Sequence, residues 1–219
     1  MTRRYHSEET KEKIIAVSTR LFIEKGFEKT SIKDICDALG MSKGAIYHHF
    51  KSKKEIIEAV RENKSNHIEE TVEHWLNGFE AKTAKEKLTL LLEKDIADQE
   101  AHSLDKAFST QIKSPDFIVS TMKDSVQKSA PVFANILKEG NKDGSIATDY
   151  PDEFAEVFFL LLNIWCDPVI FECDDDQLHR RLQFLQSMTK KMGADIINDQ
   201  TLEKAEKLLQ NLYSNGDQA

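Results

Sequence analysis

Residues 31–50, SIKDICDALGMSKGAIYHHF, leave little choice of local structure. Ile32, Ile35, Cys36 and Leu39 recur at the i, i+3, i+4, i+7 spacing that lays one apolar stripe along a helix. Ser31 with Asp34 three residues on is a capping-box-like start, Gly40 supplies a left-handed stop, and Ser42 is a ready N-cap for a second helix. With stop and start this close the connecting turn is only about three residues long, as a helix-turn-helix pair requires. In the second helix Ile46 and Phe50 lie four apart and close a small core, which leaves Ser42, Lys43, Gly44, Tyr47 and His48 on the other side.

That other side carries the chemistry of DNA recognition. Lys43 reaches a guanine edge or a phosphate, Tyr47 and His48 offer polar tips on flat rings, and Gly44 lets a backbone approach a duplex. A glycine inside a helix costs roughly 1 kcal/mol against alanine, so it asks for a reason. Close packing of the two helices and close approach of DNA carry equal weight here. Just downstream, Ser52 and Glu55 form a second capping box that opens a helix in FKSKKEIIEAV. Its start, flanked by Lys51, Lys53 and Lys54, reads either as a phosphate clamp or as a solvated lysine run.

From Thr10 to about Val60 the chain resembles the tetracycline-repressor (TetR) family of bacterial regulators. The resemblance is carried by a first helix KIIAVSTRLFIEKGFEKTS, the pair above, and GAIYHHFKSKKEII. Cys36 stands where such proteins usually carry a small alanine, a place a buried thiol can fill. The resemblance implies an all-α fold: a three-helix DNA-binding domain over residues 1–54, with the helix-turn-helix pair at 31–50, followed by a helical effector-binding and dimerisation domain over 55–219. It implies DNA contacts from Thr30, Ser31, Lys43, Gly44, Ala45, Tyr47, His48, His49 and Lys53, joined by Ser42 from the reading of the outer face. Ala45 offers only an apolar contact, such as with a thymine methyl.

Charge divides with the domains. Residues 1–54 carry 12 Lys and Arg against 7 Asp and Glu, a net +5; the remainder carries 18 against 31, a net −13, giving −8 in all. A basic head on an acidic body suits a protein that presents one end to a polyanion. The polar start MTRRYHSEETKEK is no signal peptide, and the longest apolar stretch, Val157 to Cys166, is about half of the roughly 20 residues a membrane span needs. A cytoplasmic protein without a membrane role is expected. Cys36, Cys166 and Cys173 read as reduced structural thiols, since their spacing with His179 fits no standard metal site.

The body reads as about six helices. The connector runs from Ser52 to about Trp75, and Leu88, Leu91, Leu92 and Ile96 stripe another helix. Ser114 before Pro115 starts a helix that bends or restarts at Pro131 and ends around Gly140. Pro151 starts the most apolar helix, Asp174 to Asp176 precede one running to about Met192, and Thr201 starts a short last one. A helix-turn-helix reads only a few base pairs, so two copies about 34–36 Å apart on a palindromic operator would explain part of the body. By the resemblance the homodimer forms through helices about 151–165 and 176–192, where Phe158, Phe159, Leu161 and Leu162 exceed what one buried face needs; the same residues also suit a central core helix of a monomer. The rest suits a pocket for a small hydrophobic or amphipathic effector, with Trp75, Phe79, Phe108, Phe117, Met122, Phe133, Phe154 and Trp165 as candidate walls, and Phe171, Phe184 and Met188 further along. His67, His74, His102 and Asn163 are the polar groups available to orient it. A repressor released by that effector is the expected function, with an activator or a regulator answering a protein partner as alternatives. An all-helical enzyme is the alternative from another class, but no phosphate-binding glycine loop, HExxH, nucleophile elbow or paired ExxH helices occur, and no cofactor or metal is implied.

Overall fold

The computed structural model describes residues 2–108 and 110–213, with side chains at 7–66, 70–99, 101–108 and 110–212. Among them there is no strand; eleven α-helices and two π-helical turns account for the regular structure. These are α1 Thr2–Lys25, α2 Ile32–Leu39, α3 Lys43–His49, α4 Lys53–Gly78, α5 Ala84–Ala97, α6 Gln99–Phe108, α7 Pro115–Asp124, α8 Ala130–Asp143, α9 Pro151–Leu160, α10 Asp175–Lys191 and α11 Asp199–Tyr213. The chain divides into two compact units, residues up to 67 with 100–110, and residues 68–99 with those from 111 onward. The first unit holds all of the expected 1–54 head, extends along α4 and takes in α6.

In the first unit Ile14, Phe22, Ile35, Ile46, Phe50 and Ile56 are fully buried. Each such side chain contributes roughly 1.5–3 kcal/mol on leaving water. The local signals produce the expected elements. Ser31 and Asp34 complete their reciprocal capping box, and Gly40 ends α2 in the left-handed region at φ 63°. The Ser52 box forms with one change: Ser52 Oγ accepts from the Glu55 N–H at 3.1 Å, but the Glu55 carboxylate takes the N–H of Lys51 instead of that of Ser52. The helix α6 has no counterpart in the expected series. Its Asp105 receives the Lys64 ammonium of α4, which also donates to the Ala101 carbonyl at 3.2 Å.

In the second unit the core gathers α5, α8, α9, α10 and α11 around Leu88, Phe133, Leu137, Phe154, Phe158, Leu182 and Leu185, with Val72, Trp75 and Leu76 packed against it. Pro131 does not break the run from α7 to α8, since the backbone stays in the right-handed helical region at Asp124, Ser125, Ser129 and Ala130. A π-helical turn at Ser125–Ser129 intervenes, and Pro131 falls in the first turn of α8 directly after it. The helix then continues past Gly140, whose added Cβ would lie 2.6 Å from Ile146, and stops at Gly144. A second π-helical turn, Leu161–Trp165, follows α9, and Asn163 Nδ2 donates to Ser125 Oγ at 3.1 Å, joining the two turns. The last helix starts at Asp199, two residues before Thr201, and the Asn198 carboxamide oxygen ahead of it accepts the Thr201 N–H at 2.8 Å.

The α5 start is capped across the unit. Thr83 Oγ1 accepts from the Glu86 N–H, while the Asp143 carboxylate accepts the N–H groups of Ala84 and Ser145, both at 2.8 Å. Hydrogen bonds from the Ser145 side chain, from Ala84 and from the Ser145 backbone hold the Asp143 carboxyl below the ordinary carboxylate value.

Candidate nucleic-acid interface

The helix α3 is set by its two ends. Ser42, extended at φ −71° and ψ 153°, accepts the Ala45 N–H on Oγ at 3.2 Å, and Phe50 closes the far end by donating to the Ile46 carbonyl at 2.9 Å. Because Ile46 and Phe50 are buried, the helix has one rotation open to it. Ser42, Lys43, Gly44, Tyr47 and His48 are exposed, and Ala45 and His49 half-buried. The Lys43 ammonium sits 5.7 Å from the centre of the Tyr47 ring, and the His48 and His49 rings meet edge to face at 5.3 Å. One short helix therefore offers a cation, a phenol and two imidazoles to solvent.

The surroundings of Gly44 separate its two explanations. A Cβ there would meet only Ser42 Oγ, at 4.0 Å, so packing against α2 does not require the glycine. The open backbone faces whatever approaches α3 from outside.

Two residues expected at DNA are turned inward. Thr30 is 1% exposed, and its hydroxyl reaches the Gly26 carbonyl at 2.8 Å and that of Leu21 at 3.2 Å. Lys53 directs its ammonium at the carbonyls of Phe27, Thr30 and Glu28, at 2.8, 3.1 and 3.4 Å, above the Phe27 ring. Ser31 is exposed, but its N–H and hydroxyl engage Asp34. The Asp34 carboxyl is held well below the usual carboxylate range by Lys25, 2.8 Å away, and by Ser31.

The pattern described as bacterial regulatory proteins of the tetR family matches residues 14–60, and a tetracyclin repressor-like C-terminal domain matches residues 101–188. The HTH-type transcriptional regulator YerO of Bacillus subtilis is 46% identical over 69 residues, 28% of this chain and 24% of the relative. The chain thus spans about a quarter of that relative's length. A longer match is decisive: the HTH-type transcriptional regulator QacR of Staphylococcus aureus is 30% identical over 140 residues, 61% of this chain and 72% of QacR. The chain belongs to the TetR family of bacterial regulators. A transcriptional regulator of Cytophaga hutchinsonii has the same fold, with a TM-score of 0.61 at 20% identity over 92% of this chain and 93% of that one. TetR-family membership makes this a DNA-binding transcriptional regulator, not an enzyme, and the α2–α3 pair is its helix-turn-helix.

Of the expected effector residues of this TetR-family chain, Phe133 and Phe154 lie in the core cluster of the second unit, and Trp75, Phe79 and Trp165 pack against it. Phe108 belongs to the first unit and the others to the second. Phe133 and Phe154 are fully buried, Trp75, Phe79, Phe117 and Trp165 half-buried, and Met122 exposed. Phe133 stacks on Phe158 at 5.1 Å and meets Phe159 edge to face at 5.3 Å. An open cleft of about 500 Å³ lies elsewhere in the second unit, lined by Lys113, Ile118, Val169, Ile170, Phe171, Glu172 and Arg181. Of the expected aromatics only Phe171 borders it. Arg181 was not singled out by the sequence, because its role is tertiary: Nη1 donates to the carbonyls of Trp165 and Phe171 at 2.9 and 3.0 Å. Among the polar groups His102 lies beside Asp105, 3.5 Å away, Asn163 binds Ser125, His74 is exposed, and the His67 side chain lies outside the described residues.

Cys36, Cys166 and Cys173 are free thiols. Burial pushes the Cys166 thiol up to about 12, which leaves it without thiolate character. No group of three His, Cys, Asp or Glu among the described residues is placed to hold a metal ion, and no described helix is long and apolar enough to cross a membrane.

Proposed function

We propose that the protein is a cytoplasmic homodimeric repressor that reads a palindromic operator with α3 and releases it when a small hydrophobic or amphipathic molecule binds the helical body. The observation that carries the DNA reading is the outer side of α3, where Ser42, Lys43, Tyr47 and His48 stand exposed around the bare backbone of Gly44. Ala45 and His49 flank that face, and Ser31 stands at the start of α2. Lys43 suits a phosphate or a guanine edge, and the aromatic tips suit base edges in a major groove. A relative named as a repressor, KstR2 of Mycolicibacterium smegmatis, is 26% identical over 68% of its length, which supports the direction of regulation.

Gly44→Ala tests the reading by separating stability from binding. Alanine meets only Ser42 Oγ, at an unstrained 4.0 Å, so it should stabilise α3 by a few tenths of a kcal/mol, less than the roughly 1 kcal/mol of a helix interior because the site is in the first turn. On a duplex selected by the wild-type protein from a random pool it should weaken binding about tenfold, or ~1.4 kcal/mol, by holding the backbone away. Unchanged affinity would mean that DNA does not approach α3 there.

The dimer part rests on apolar side chains left in solvent on α9 and α10. Phe184 is 54% exposed, with its ring edge to face with that of Trp165 at a 5.7 Å separation, while Val157 is 45% exposed. Phe184→Glu is expected to weaken self-association by at least about thirtyfold, the effect of losing one strong interface residue, as read by sedimentation equilibrium. Unaltered association would place the interface elsewhere. Release by an effector requires that it bind the non-binding state more tightly, since equal affinity for both states shifts nothing.

A further inference from the structure

The geometry points to Lys53 as a positioning residue of the reading head, a strut that sets how α2 and α3 are presented, and not as a phosphate clamp. An ammonium has three protons to donate, and here three carbonyls surround it, those of Phe27, Thr30 and Glu28. The Phe27 ring, 4.1 Å from the ammonium, is itself buried and fixed edge to face against Phe22 at 5.4 Å. A phosphate could be reached only by giving up one of these bonds. The carbonyls belong to the short segment that leaves α1 and runs straight into Ser31, the N-cap of α2. Lys53 is the first residue of α4, the helix that directly follows α3. The contact therefore ties the start of α4 to the start of α2, spanning the helix-turn-helix from its far end. On the α1 side Lys25 braces the same cap through Asp34 at 2.8 Å, and the Thr30 hydroxyl braces the segment from within. With the segment held from two helices, the rotation of α2, and with it α3, is fixed before any partner arrives.

The test builds on the DNA-binding reading for its affinity arm alone. Lys53→Met keeps a flexible stem over Phe27 and removes the donors. The strut predicts that the full-length variant binds the selected duplex about tenfold more weakly with the salt slope of log K unchanged, and that amides of residues 27–31 exchange faster in the free protein. Lys43→Met in parallel should lower that slope by about 0.9, the signature of one lost phosphate contact. A slope lowered by about 0.9 in Lys53→Met, with exchange at 27–31 unaltered, would overturn the proposal. Should Lys53→Met not fold, the lysine ammonium resonances of the wild-type protein decide it: Lys53 protons hydrogen-bonded alike with and without duplex support the strut, and a shift on adding duplex refutes it. Failure of any duplex to bind the wild type would refute the DNA reading, while exchange at 27–31 would still decide the strut.

Discussion

Alanine at Gly193 is expected to destabilise the second unit by about 3 kcal/mol or more, enough to lower its melting temperature by roughly 6–12 °C. Two costs add. Gly193 follows α10 at φ 87°, where its N–H bonds the Lys190 carbonyl and the next N–H, from Ala194, reaches back to Thr189 at 2.9 Å, a Schellman ending. A side chain in this region costs about 1–2 kcal/mol by itself. The second cost is tertiary: an added Cβ would stand 2.0 Å from the Ala147 oxygen and 2.5 Å from its carbonyl carbon. That carbonyl cannot step aside easily. Ala147 donates to the Gly193 oxygen at 2.9 Å, Ile146 donates to Gly140, and Asn141 brackets Thr148 with two bonds of 2.7 and 3.0 Å. Alanine at Gly40, with the same sign of φ but open space around it, should cost only the first part. Equal, small losses at both positions in urea unfolding would show that the loop yields and that the tertiary contact adds nothing.

Phe133→Ala should cost about 3–5 kcal/mol, the range for removing a ring from a packed core. Phe133 is 1% exposed, stacked on Phe158 and edge-on to Phe159, and Phe158 continues the stack to Phe154 at a 6.4 Å separation. The outcome bears on where an effector can sit. A loss of that size marks Phe133 as core, leaving the half-buried Trp75, Phe79, Phe117 and Trp165 as the aromatics able to meet a ligand. A loss below about 1 kcal/mol would mean that space beside the ring is already empty and that Phe133 is a pocket wall after all. Urea midpoints for wild type and variant separate the two.

What was legible in the sequence is what local chemistry decides. Ser31, Asp34, Gly40 and Ser42 act within three or four residues of themselves, so the α2–α3 pair could be read directly, and Ile46 with Phe50 then dictated which side of α3 faces out. The body resisted for two reasons. Its π-helical turns at Ser125–Ser129 and Leu161–Trp165 have no sequence signature, and α6 follows α5 after a single residue, with no glycine or proline to announce the break. Lys53 and Thr30 looked available to DNA because the carbonyls that engage them are fixed by the tertiary fold, more than twenty residues away in the case of Lys53. The aromatics of the body looked alike in sequence, and only packing distinguishes Phe133 from Trp75.

The central claim is that α3 reads DNA sequence as half of a symmetric pair. Selection of bound duplexes from a random pool at near-physiological salt, followed by sequencing, tests it most directly. An inverted repeat with half-sites about one helical turn apart, or a multiple of it, is the predicted result. A folded wild-type protein that enriches no sequence, or a single unrepeated half-site, would contradict it.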